Sequence, residues 1–119
     1  MKRMISAVAV LAVAAVSVFA VVAYAGQRSA TATTVSVTAK DFKFVLSRKS
    51  AVHGTVTFKV VNKGPNKHDF KIAGKKTPLL GKGKSATLKV KLAKGKKYTY
   101  ICTVPGHAQL GMKGTFKAT

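Results

Sequence analysis

From residue 35 onward, apolar and polar residues alternate, and the alternation restarts after each cluster of Gly, Pro, Asn and Lys. VSVTA (35–39) alternates throughout, and DFKFVL (41–46) does so at first. TVTFKVV sets Val56, Phe58 and Val60 against Thr55, Thr57 and Lys59, and stops at the turn sequence Asn62-Lys63-Gly64-Pro65. HDFKIA alternates through Phe70 and Ile72, and ATLKVKLA puts Leu88, Val90 and Leu92 opposite Lys89 and Lys91. KYTYICT aligns Tyr98, Tyr100 and Cys102, and GTFKA closes the chain. Successive side chains of a strand point to opposite faces, so period two with β-branched and aromatic residues predicts half-buried strands. No helical period of 3.6 competes after Ala25. About seven to eight short strands in so short a chain predict an all-β antiparallel sandwich or barrel. Turns are expected at 81–84 and 93–97, and Phe42, Phe44, Phe58, Phe70 and Phe116 in the core.

The first 25 residues read differently. Lys2 and Arg3 precede an uncharged apolar run over 4–25 that ends in Ala23-Tyr24-Ala25. A basic start, an apolar stretch and a small-x-small end are the layout of a secretory signal peptide cleaved before Gly26. The run is also long enough to span a bilayer, so an uncleaved anchor helix is the alternative. Either way the remainder is expected outside the cytoplasm, in the periplasm, cell envelope or medium. Residues 26–34 are small and polar and read as a linker, which leaves 35–119 as one domain.

Charge narrows the partners. The chain has 22 Lys and Arg against two acids, Asp41 and Asp69, for a net charge of +20. Such a field favours acidic proteins, nucleic acid or anionic surfaces. The lysines are spread from Lys40 to Lys117 with no Arg cluster, which reads as a general field and not as a nucleic-acid interface.

The rarest residues carry the chemistry. Beyond residue 25 there is one Cys and one Met, Cys102 and Met112, and His107 lies midway, five residues from each. A single cysteine cannot make the internal disulfide that small exported domains commonly use. Thiolate and thioether are soft donors and imidazole is borderline; zinc prefers more thiolates, and calcium and magnesium want oxygen. Two His and a Cys in a plane with a weak axial Met is the donor set of an electron-transfer copper site. Pro105-Gly106 and Gly111 provide turns in both gaps of ICTVPGHAQLGMKG, so one loop can aim three donors at one point. The fourth must come from elsewhere, and His68, just after a turn and at the start of a strand, is well placed. His53, in AVHGT, reads as a turn residue.

In GTVTFKVVNKG, HDF and GKKYTYICTVPGHAQLGMKGTFKA the chain resembles the cupredoxins, small blue copper proteins of the plastocyanin, azurin and rusticyanin type. The resemblance spans roughly Val35 to Ala118. It implies a Greek-key β-sandwich, one type 1 copper ion and single-electron transfer between partners, by a monomer. Carried over by position, it implies His68, Cys102 and His107 as strong ligands and Met112 as the axial one. It further implies an apolar docking rim of Pro105, Ala108 and Leu110 around His107. Many family members have Asn after the first His; here it is Asp69, and Thr103 is its expected partner, by hydroxyl or by a nearby N–H. A carboxylate there is expected to favour Cu(II). The positive charge implies a redox partner with an acidic surface.

Three other functions draw on the same residues. A Cys–His nucleophile pair lacks a third residue to orient His107. A copper carrier without redox turnover uses the same ligands, but a closed four-donor site opposes quick release. A secreted polyanion-binding module rests on charge alone.

Overall fold

The computed structural model describes residues 32–119; the leader or anchor and most of the linker read from the sequence lie outside the described residues. Nine strands form two sheets: β1 (Thr33–Lys40), β2 (Lys43–Leu46), β3 (Ser50–Ala51), β4 (Gly54–Asn62), β5 (Lys71–Ile72), β6 (Lys75–Lys76), β7 (Ser85–Leu92), β8 (Lys97–Ile101) and β9 (Lys113–Ala118). One sheet has the order β2-β1-β4-β7 and the other β3-β9-β8-β5-β6. The chain crosses repeatedly between them, the interleaving of a Greek-key sandwich. The described residues contain no helix long and apolar enough to cross a membrane.

Two expectations differ from the structure. The sandwich is not purely antiparallel: β1 pairs with β4 in parallel, and so does β3 with β9. Between β1 and β4 the chain makes the β2 hairpin and a visit to the other sheet, the long connection a parallel pair needs. Thr33 and Thr34, assigned to the linker, already belong to β1, paired with Val56 and Thr57. Two-residue strands β3 and β6 are too short to show an alternation.

The phase of the pattern is otherwise the phase of burial. Val35 and Val37 of β1, Val56, Phe58 and Val60 of β4, Val90 and Leu92 of β7, Tyr100 of β8 and Phe116 of β9 are buried together. Phe58 meets Phe70 and Phe116 with ring centroids 5.4 and 5.2 Å apart, and Phe70 stacks on Tyr100 at 5.6 Å. Offset and edge-on aromatic contacts add to area burial. Tyr100 lies over Gly114, its partner across β8 and β9, where a Cβ would collide with the tyrosine ring. Phe42 and Phe44, placed in the core from the sequence, are half-buried instead.

Candidate metal centre

The alternation of β8 places Cys102 on the same inward face as Tyr98 and Tyr100, just past the strand's end. The Cys102 N–H donates to the Met112 carbonyl at 3.0 Å, so the β8–β9 ladder runs on to the two sulfur residues. Between them the loop closes in successive turns. The His107 N–H donates to Val104, the Leu110 N–H to His107, the Gly111 N–H to Ala108 and the Met112 N–H to His107, all at 3.0–3.1 Å. Gly106 and Gly111 have φ of 87° and 125°, which side chains rarely tolerate, and these two residues make the turns possible. Cys102 and Met112 are buried in one cluster with Ala39, flanked by Phe42, Phe44 and Val104.

His68 arrives from another segment. It pairs with Leu80 in an isolated bridge through two backbone hydrogen bonds of 3.1 and 2.8 Å. The buried Asn62 side chain braces that bridge, donating to the carbonyls of Leu80 and Asn66 and accepting from the Gly64 N–H. In the sequence Asn62 reads only as the start of a turn.

Three donor atoms converge. His68 Nδ1 lies 3.0 Å from His107 Nδ1, and Cys102 Sγ lies 3.9 and 3.7 Å from those two nitrogens. A first-row metal ion binds imidazole at about 2.0–2.1 Å and thiolate at about 2.3 Å, so a single ion reaches all three. His68 and Cys102 are buried and His107 is partly exposed. The thiol has no activated character by itself: burial pushes its pKa up and the Asp69 carboxylate adds to this, against the backbone groups of Asp69 and Val104. A cation at the convergence point is what would turn it into thiolate. Soft sulfur with two imidazoles fits copper, and Met112, buried in the same cluster, supplies the thioether.

Asp69 joins the two ligand segments. Its carboxylate accepts from the Thr103 N–H at 2.6 Å and from the Thr103 hydroxyl. Pro105 and Leu110 are exposed, and Ala108 and His107 partly so. His53 is far away, bonded to the Thr119 carbonyl beyond the other end of β9.

Two contacts at the site were missed. Asp41 Oδ1 lies 2.7 Å from His68 Nε2, and Phe42 meets the His107 ring edge-on at 5.0 Å. Both sit at the two-residue tip of the β1–β2 hairpin, where Lys40 pairs with Lys43. A signal for that tip exists: the inward residues are Val35, Val37 and Ala39, then Phe44, so the alternation changes phase between 39 and 44. Desolvation raises the Asp41 pKa, but hydrogen bonds from His68 and Asn66 outweigh it and hold the carboxyl below its usual value.

The sequence profile described as copper binding proteins of the plastocyanin/azurin family matches residues 21–119. Similar solved structures include a dithionite-reduced auracyanin of the photosynthetic bacterium Roseiflexus castenholzii, at 20% identity and a TM-score of 0.63, covering 74% of this chain and 98% of that one. Auracyanin A, a "blue" copper protein of Chloroflexus aurantiacus, is 19% identical with a TM-score of 0.63, over 75% of this chain and 100% of its own. An azurin of Methylomonas sp. strain J is 22% identical with a TM-score of 0.59, over 75% and 99%. At such identities the structures share the fold. No curated protein sequence matches the chain.

Proposed function

The chain belongs to the plastocyanin/azurin family of copper-binding proteins, and from that premise we propose that it is an exported single-electron carrier holding one type 1 copper ion. The observation that carries this reading is the convergence of His68 Nδ1, His107 Nδ1 and Cys102 Sγ beside Met112. Bound copper supplies one-electron chemistry by cycling between Cu(I) and Cu(II).

The chain's own residues supply rigidity and access. Cys102, His107 and Met112 are fixed by the extended β8–β9 ladder and its turns, and His68 by the Leu80 bridge. Asp69 bonded to Thr103 ties the two segments together, so the donors keep their spacing when the charge at the site changes. His107 is the donor nearest solvent, and Pro105, Ala108 and Leu110 around it offer a small apolar landing surface for a partner.

Partner charge follows from where the acids are. The only two carboxylate side chains of the chain are bound to His68 and to Thr103. Elsewhere lysines face lysines, as in the cross-strand pairs Lys97–Lys117 and Lys71–Lys76. A partner with an acidic surface relieves that repulsion, and its association is expected to weaken as salt rises. A nucleophilic Cys–His enzyme is disfavoured because burial raises the Cys102 pKa, the reverse of thiol activation. Copper delivery without redox turnover is the second reading.

Voltammetry of the copper-loaded protein separates the two. A reversible one-electron wave, with no loss of metal over repeated cycles, is the expected result. Copper released on each reduction supports delivery and contradicts the carrier.

A further inference from the structure

We infer that Asp41 is a positioning residue for the metal centre: it fixes which nitrogen of His68 carries the proton and adds a fixed negative charge behind that ligand. This rests on the copper reading above.

The geometry is specific. A carboxylate only accepts hydrogen bonds, and both Asp41 oxygens face nitrogen groups, Oδ1 the His68 ring and Oδ2 the Asn66 amide. With Asp41 Oδ1 at 2.7 Å, His68 Nε2 must therefore be the N–H. That leaves Nδ1 with its lone pair facing His107 Nδ1 and Cys102 Sγ, which is the form a metal needs. The carboxylate is itself held: Asn66 Nδ2 donates to its Oδ2 at 2.6 Å. Gly64 makes room for it, since a Cβ there would stand 2.6 Å from Asp41 Oδ1. The next residue, Phe42, packs edge-on against both His68 and His107, so the same hairpin tip orients one imidazole and covers two. A carboxylate behind a metal-bound histidine raises its basicity and fixes its ring, and losing such a partner commonly costs about 10–100-fold in metal affinity.

Asp41→Asn and Asp41→Ala separate the two roles, because the amide keeps an acceptor for His68 and loses the charge. In the metal-free protein, NMR is expected to show a slowly exchanging His68 Nε2–H proton. It should persist in Asp41→Asn and vanish into solvent exchange in Asp41→Ala. On copper loading, Cu(II) affinity should fall relative to Cu(I) in both variants, about tenfold or more in Asp41→Ala. Each tenfold change in that ratio raises the potential by about 59 mV. A His68 Nε2–H that survives in Asp41→Ala, or an unchanged affinity ratio in both variants, would overturn the inference and leave Asp41 as a turn residue. If Asp41→Ala does not fold, two separate variants read the same ratio: Asp41→Asn, and Asn66→Ala, which frees the native Asp41 carboxylate from its holding bond. The metal-free resonance is independent of copper, so a failure of the copper reading is distinguishable from a failure of this contact.

Discussion

Replacing His68 by Ala is expected to bleach the copper-loaded protein and lower its copper affinity by more than the roughly 10–100-fold that losing an outer-sphere partner costs. His53→Ala should change neither. The two histidines are a matched pair in composition and opposites in structure. His68 is buried with its Nδ1 3.0 Å from His107 Nδ1 and 3.9 Å from Cys102 Sγ. His53 caps the far end of β9 through the Thr119 carbonyl, with the length of the six-residue strand Lys113–Ala118, about 20 Å, between it and the site. A visible spectrum and a competition titration with a copper chelator read both variants. Colour retained in His68→Ala, or lost in His53→Ala, contradicts the ligand set.

The largest effect on folding is expected from Phe58→Ala. Phe58 is fully buried in the middle of β4, between Val35 of β1 and Leu88 of β7 in the sheet. Its ring meets that of Phe116 in β9 of the opposite sheet and that of Phe70, just before β5, so it bridges the two layers. Truncating it removes the transfer energy of a phenyl ring and leaves a cavity between rings that cannot all collapse, a loss of about 3–5 kcal/mol. Domains of this size are stable by about 5–15 kcal/mol, so the variant loses a large share of its stability. Denaturant unfolding should show a lower midpoint with an unchanged slope. Val45→Ala, on the exposed face of β2, should stay within about 0.5 kcal/mol. A Phe58→Ala cost below about 1 kcal/mol would mean that the sheets do not meet at this ring.

Much of this was legible in the alternation, because one face of each long strand is buried and the other is not. The inward set Val56, Phe58, Val60 and the set Leu88, Val90, Leu92 could be read directly. So could the loop from Cys102 to Met112, since its donors are rare and its turns carry Gly and Pro. What the pattern does not encode is which strands become neighbours. The parallel pairing of β1 with β4 depends on a crossover through the other sheet, and β3 and β6 are too short for any period. The same blindness hid Asp41 and Asn62. Each acts over a long separation in sequence, Asp41 on His68 and Asn62 on Leu80, and a polar residue at a turn looks the same whether it faces water or a ligand. The phase change between Ala39 and Phe44 marks the hairpin tip, but nothing local says that the tip folds over the metal centre.

Four side chains holding one copper through a thiolate should give the protein a colour. Titrating the purified protein with Cu(II) and recording the visible spectrum, beside Cys102→Ala, reads it. An intense blue or green thiolate-to-copper band that saturates at one copper per chain, and never develops in Cys102→Ala, is the predicted result. A protein that stays colourless, or a band of equal strength without the Cys102 sulfur, would contradict it.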